Sequence, residues 1–165
     1  MQSPRKESKV VYTHEQALEA LQHYCAYQDR CHQEARQKLR ELGYRGDPAE
    51  AVIADLITEH FLDELRFARS FARGKFRMKR WGRLKIRREL RQRDLTDYCI
   101  RKALLEIDEA EYTDALCRGL EEHNAQELRR RRYTPFDRRG KVADYMIKRG
   151  YEPNLVWDMI RELAL

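Results

Sequence analysis

The chain is short of everything that punctuates a sheet protein. Its 165 residues include seven Gly and four Pro, too few for the frequent tight turns of an all-β fold. It has no run approaching the roughly 20 apolar residues of a membrane span. The opening residues, 1–10, carry charge but no apolar segment after it, so the start does not read as a secretory leader. The four cysteines, Cys25, Cys31, Cys99 and Cys117, form no Cys-x-x-Cys pair. With no sign of secretion they read as packed, reduced thiols of a cytoplasmic protein. Cys25 and His32 are seven apart but lack two further ligands, which excludes a zinc centre of ordinary spacing. A Gly-rich phosphate loop, a Ser or Cys nucleophile signature and a His-Glu-x-x-His pair are all missing, so no enzyme and no cofactor is expected.

What the chain has in excess is charge, unevenly placed. Between Arg66 and Arg93, thirteen of 28 residues are Lys or Arg and only Glu89 is acidic, a local balance of +12 on a chain whose total is +6. The other 137 residues carry 21 basic and 27 acidic side chains. Concentrated positive charge interleaved with Phe67, Phe71, Phe76 and Trp81 suggests a polyanion, or an acidic protein groove, as partner. The plainer reading is amphipathic helices with solvated outer faces. Phe67, Phe71 and Trp81 fall on the apolar side, so they read as core rather than stacking platforms. Glu106, Asp108, Glu109 and Glu111 read as a solvated connector.

The abundant Arg, Glu, Leu, Ala and Gln favour helix, and helical grammar recurs along the chain. Thr13 and Gln16 form a capping box. The helix after it turns Ala17, Leu18, Leu21 and Cys25 inward. A break near Asp29 to His32 precedes a second helix that ends at Gly43. Asp47-Pro48 reads as an N-cap with Pro at the first helical position, opening a helix with Val52, Ile53, Leu56 and Ile57 inward. Asp63 caps a helix whose Phe67, Ala68, Phe71 and Ala72 oppose Arg66, Arg69 and Arg73. After Trp81-Gly82 comes a helix burying Ile86 and Leu90, then one capped by Thr96. A third pass starts at Thr113, with Leu116, Leu120 and Leu128 inward, and ends in the run Arg129, Arg130, Arg131, Arg132. Thr134-Pro135 and Pro153 open the last two helices, the final one with Val156, Trp157, Ile160 and Leu163 as its apolar face.

The passes superimpose. Ala35, Leu39 and Gly43-Tyr44 match Ile86, Leu90 and Asp94-Leu95, then Val142, Met146 and Gly150-Tyr151. Periods of 51 and 56 residues between Leu39, Leu90 and Met146 fit helical repeats stacked on their neighbours. The expected fold is all-α: three tandem three-helix repeats over residues 13–60, 61–108 and 109–165, after a disordered tail at 1–12, forming an elongated, curved array.

Asp63-x-x-Arg66-Phe67-Ala68-Arg69-x-Phe71, Trp81-Gly82 and Ile86-Arg87-Arg88-Glu89-Leu90 with Asp94-Leu95 resemble the central motif of the RecX regulatory proteins. Arg36-Gln37-Lys38-Leu39 with Gly43-Tyr44, and Lys141-Val142 with Lys148-Arg149-Gly150-Tyr151, fit its flanking repeats. The chain departs from the family pattern at Asp94, where Gly usually ends the helix, and in its Arg129 to Arg132 run. The resemblance implies a non-enzymatic regulator acting in DNA repair, recombination and the SOS response. Such a protein lodges along the RecA–DNA filament and restrains strand exchange, ATP hydrolysis and coprotease activity. DNA would be met within the filament and only weakly alone, by a monomer with no membrane contact. The candidate contact residues are Arg66, Arg69, Arg73, Arg77, Lys79, Arg80, Lys85, Arg88 and Arg91, with Arg129, Arg130, Arg131 and Arg132 as a second patch. The alternative is a stand-alone helical DNA- or RNA-binding module, although no polar recognition helix with base-reading Asn or Gln stands out.

Overall fold

The computed structural model describes residues 12–130 and 132–165. Every element among them is an α-helix: α1 (His14–Tyr27), α2 (His32–Glu41), α3 (Asp47–Thr58), α4 (Glu64–Lys79), α5 (Arg83–Arg91), α6 (Asp97–Leu104), α7 (Glu109–Arg130), α8 (Pro135–Lys148) and α9 (Pro153–Glu162). They are three tandem three-helix repeats. The chain divides into two compact units, Met1–Phe67 and Ala68–Leu165, with the division falling inside α4.

Caps set where the helices start. Thr13 accepts from the Gln16 amide while the Gln16 side chain accepts from the Thr13 amide, the reciprocal pair expected from the spacing. Asp63 accepts from the Arg66 amide at 2.8 Å, Thr96 from that of Cys99 at 3.3 Å and Thr134 from that of Asp137 at 3.2 Å. Two starts differ from expectation. The N-cap of α3 is Gly46, at φ 63°, and Asp47 is the first helical residue. α7 begins at Glu109 rather than Thr113, because Asp108 accepts from the Glu111 amide at 2.9 Å. Thr113 then lies within the helix and donates to the Glu109 carbonyl. The acidic run is therefore the cap and first turn of a helix, where carboxylates complement the exposed amides.

The second helix of each repeat stops in one way. Gly43, Asp94 and Gly150 take positive φ of 88°, 57° and 96°. The following amides of Tyr44, Leu95 and Tyr151 reach back to the carbonyls of Leu39, Leu90 and Met146 at 2.9, 3.3 and 3.2 Å. This is the Schellman closure, which satisfies carbonyls that a helix end leaves open. Asp94 occupies the left-handed position that glycine holds in the other two repeats, a conformation that Asp tolerates better than most side chains.

In the first unit α1, α2 and α3 pack on one another around Ala17, Leu21, Leu39, Val52, Ile53 and Leu56. Tyr12 also belongs to this packing: its carbonyl accepts from the Tyr44 hydroxyl at 2.8 Å, while the rest of the expected tail, residues 1–11, lies outside the described residues. In the second unit α5 pairs with α6, and α7, α8 and α9 pack together. Packing in this unit holds Ile86, Leu90, Leu116, Leu120, Val142 and Met146 out of solvent. Three residues expected inside are instead exposed: Ile57, Leu128 and Trp157. Each lies on a helix whose partners cover a narrower stripe than periodicity alone implies.

The N-terminus of α5 is seated with little room to spare. The Gly82 amide donates to the Arg149 carbonyl at 2.8 Å and the Leu84 amide to that of Gly150 at 3.0 Å. A Cβ on Gly82 would lie 2.2 Å from the Gly150 carbonyl carbon, and one on Gly150 only 2.3 Å from the Lys85 Cβ. Backbone meets backbone here, so glycine is required on both sides. Beside this contact the buried Tyr112 hydroxyl accepts from the Arg83 amide at 3.0 Å and donates to Glu152 at 2.7 Å. Its ring stacks on Tyr151 with centroids 4.9 Å apart. Burial pushes the Tyr112 hydroxyl far above its usual titration range.

Candidate partner and nucleic-acid interface

Arg66, Arg69, Arg73 and Arg77 are spaced along one side of α4, Arg80 follows just past its end, and each of the five meets a carboxylate. In the first unit Arg66 Nε bonds Asp29 at 2.8 Å while its other nitrogens reach the His60 and Phe61 carbonyls. In the second unit Arg69 and Arg73 share Glu106, at 3.0 and 3.2 Å. Arg77 lies 3.6 Å from Glu111, and Arg80 lies 2.9 Å from Glu122. Five guanidiniums are thus matched by four carboxylates. The acidic run expected to be a bare connector is the counter-charge of the basic helix. Glu109 completes it by pairing with Arg83 at 2.6 Å. Burial would lower the Arg83 pKa, but the hydrogen bond and charge of Glu109 outweigh it and raise the pKa above its ordinary value.

These pairs stay wet. The arginine side chains are between 42 and 62% exposed and their carboxylates between 28 and 56%, so each ion pair is worth about 0–1 kcal/mol and is weakened by salt. They orient the guanidiniums without locking them.

The outer side of α5 differs. Arg88 and Arg87 are exposed and have no ion pair among the described residues, and Arg91 reaches Asp97 only at 3.4 Å. Lys85 sits half-buried with its ammonium 4.3 Å over the Trp81 ring. Trp81 and Phe71 are half-buried rather than core, and Phe67 is buried as expected. Lys75 lies 5.2 Å from both half-buried rings, and Arg93 lies 4.9 Å from Phe71. The rings are thus roofed by cations, a favourable arrangement that leaves those faces unavailable for stacking. Lys79 is exposed, and its carbonyl accepts from Arg149.

The second basic patch is divided. Arg130 bonds the buried Glu127 at 2.7 Å, and Glu127 also lies 3.8 Å from His123. Arg129 and Arg132 are exposed without an ion pair among the described residues, and Arg131 lies outside them. Arg101 and Lys102 on α6, absent from the sequence-based candidates, join Arg87 on one exposed surface. The signal for them lay beyond the end of the basic run, on a helix read only for its apolar face.

Residues 63–104, which hold α4, α5 and α6, match the family model described as RecX, second three-helix domain. The regulatory protein RecX of Prosthecochloris aestuarii is 33% identical over 143 residues, spanning 85% of this chain and 88% of that protein. This chain belongs to the RecX family of regulatory proteins. The RecX protein of Pelodictyon phaeoclathratiforme is 32% identical over 132 residues, or 80% of this chain and 79% of the relative. The crystal structure of RecX from Lactobacillus salivarius shares the fold with a TM-score of 0.80 at 19% identity, over 92% of this chain and 96% of that one. No helix among the described residues is long and apolar enough to cross a membrane. The basic stripe of α4 and the open face of α5 and α6 both belong to the RecX second three-helix domain.

Proposed function

We propose that this RecX-family protein is a cytoplasmic, non-catalytic regulator that binds the RecA–DNA filament as a monomer and restrains its recombinase, ATPase and coprotease activities. The observation that carries this reading is the +12 balance gathered between Arg66 and Arg93, together with family membership. The contacts are assigned to Arg66, Arg69, Arg73, Arg77, Lys79, Arg80, Lys85, Arg88 and Arg91, with Arg129 to Arg132 as a second patch. Guanidiniums there exchange their exposed intramolecular carboxylates for phosphates or for carboxylates of the partner. Because each exposed pair is weak, such exchange costs little. Repeats at 13–60, 61–108 and 109–165 let several weak contacts act as linked ones, which raises affinity through effective concentration.

The test is RecA's DNA-dependent ATPase with this protein titrated in. Inhibition is expected, and the triple charge reversal at Arg66, Arg69 and Arg73 should inhibit severalfold less while keeping its helical circular dichroism. An untouched ATPase combined with tight binding to bare DNA would instead support a stand-alone DNA-binding module. In that case log K would fall against log salt with a slope of about −0.9 per phosphate neutralised.

A further inference from the structure

In the second unit, α5, α6 and the turn into α7 enclose an open groove of about 810 Å³. Its apolar lining includes Leu104, Leu105 and Tyr98. Leu105 is 78% exposed and Tyr98 55% exposed, and both line the same groove. Its basic lining includes Arg87, Arg101 and Lys102, all exposed and without an ion pair among the described residues. The two carboxylates that touch the groove are already engaged. Asp108 caps α7, and Glu109 holds Arg83. An apolar floor ringed by unmatched cations is therefore what this face offers.

We infer that this groove docks a short acidic segment of a partner protein, with an aliphatic or aromatic side chain seated on Leu104 and Leu105 and its carboxylates on Arg87, Arg101 and Lys102. Charge complementarity selects an acidic partner, and the floor selects protein over nucleic acid. A single strand binds by stacking bases on aromatic planes, whereas Leu104 and Leu105 present none. The Tyr98 ring is also partly occupied, with the Lys102 ammonium 5.8 Å from its centroid. A buried apolar anchor inside a charged rim is the ordinary anatomy of a protein hot spot. This deepens the filament reading and rests on it for the identity of the partner, RecA being the first protein to test.

The experiment has two arms. In the first, Leu105 is replaced by the photocrosslinker p-benzoylphenylalanine, and the variant is irradiated with RecA filaments on poly(dT). Crosslinks to RecA polypeptide, mapping by mass spectrometry to an acidic stretch, are expected. Crosslinks to the DNA, or none in a variant that still inhibits the ATPase, overturn the groove assignment and leave the filament reading standing. If the unmodified protein does not inhibit RecA at all, the filament reading falls and the second arm decides the groove. That arm titrates the 15N-labelled protein with a short glutamate-rich peptide carrying a central Leu-Phe pair, with an all-glutamate peptide, and with oligo(dT). The first should bind at least fivefold more tightly than the second, shift the amides of residues 101–107, and lose at least tenfold in affinity in Leu105→Glu. Equal binding of the two peptides, or oligo(dT) shifting those amides in place of the first peptide, overturns the proposal. Arg101→Glu provides a readout independent of the apolar floor, with an expected loss of at least fivefold.

Discussion

Two basic helical surfaces are built from the same residue types and differ in what faces them. Along α4 every arginine of the stripe has a carboxylate within 3.6 Å, drawn from Asp29, Glu106, Glu111 and Glu122. On α5 and α6, Arg87, Arg88, Arg101 and Lys102 have none among the described residues. Counting cations therefore locates the region but misjudges which helix offers free charge. A matched stripe presents a weaker field than an unmatched one, which draws in a polyanion or acidic protein more strongly.

The largest expected effect would erase the contrast by unseating α5. Gly150→Ala places a Cβ against Lys85 in a backbone at φ 96°. Strain and overpacking together should cost about 3 kcal/mol, a fall in Tm of roughly 10 °C by circular dichroism. A loss below about 1 kcal/mol would mean that α5 is not fixed by this contact.

Next in size is a direct comparison of the two surfaces. Reversing Arg87 and Arg101 to Glu should lower affinity for the filament about tenfold or more, roughly 1.4 kcal/mol per tenfold, with the fold intact. The triple reversal on α4 should lower it only severalfold and should also reduce thermal stability, since Glu106 would then face like charges. Fluorescence anisotropy and melting curves on both variants decide the order. A larger loss of affinity from the α4 variant would invert the comparison.

A smaller change would convert one surface into the other. Glu106→Gln releases Arg69 and Arg73 from their shared partner. Binding to a polyanion should strengthen about two- to threefold, and the salt slope should steepen by about one to two units if both cations find phosphates. An unchanged slope would show that the pairing does not restrain them.

The smallest effect concerns the core, and it separates charge from packing. Burial pushes the Cys25 thiol up to about 11 and holds Tyr112 protonated well beyond its usual range. Both pKa values are raised in the folded state. The stability they contribute is therefore complete below the unfolded thiol value of about 8.5 and is lost as pH rises toward 11. Tm should be flat with respect to these groups between pH 6 and 8 and decline above pH 9, with a shallower decline in Cys25→Ala. Neither group lies on a contact surface, both being buried, so filament affinity should hold while Tm begins to fall. Parallel losses of both would tie the surfaces to the core.

Much of the fold was legible because its signals are local. Thr13, Thr96 and Thr134 cap helices three residues ahead of the amides they satisfy. The left-handed stops at Gly43, Asp94 and Gly150 follow their buried anchors at one fixed spacing. The start of α7 was misjudged at Thr113 because Asp108 competes as a cap, and both read as plausible caps from composition alone. Leu128, Ile57 and Trp157 show the limit of periodicity, which gives a helix an apolar side but not the width of its cover. The candidate surface was legible as a count. Its counter-charges were not, since Arg73 meets Glu106 across 33 residues of sequence and Arg80 meets Glu122 across 42.

By itself the sequence determined the helices, the threefold repetition and the gathering of positive charge, all of which follow from residue types within a few positions of one another. Tertiary structure alone decided which cations are answered. An ion pair depends on distance through space, and the fold brings Glu106 and Glu111 to the arginines of α4 while leaving Arg87, Arg88, Arg101 and Lys102 on α5 and α6 without a carboxylate among the described residues.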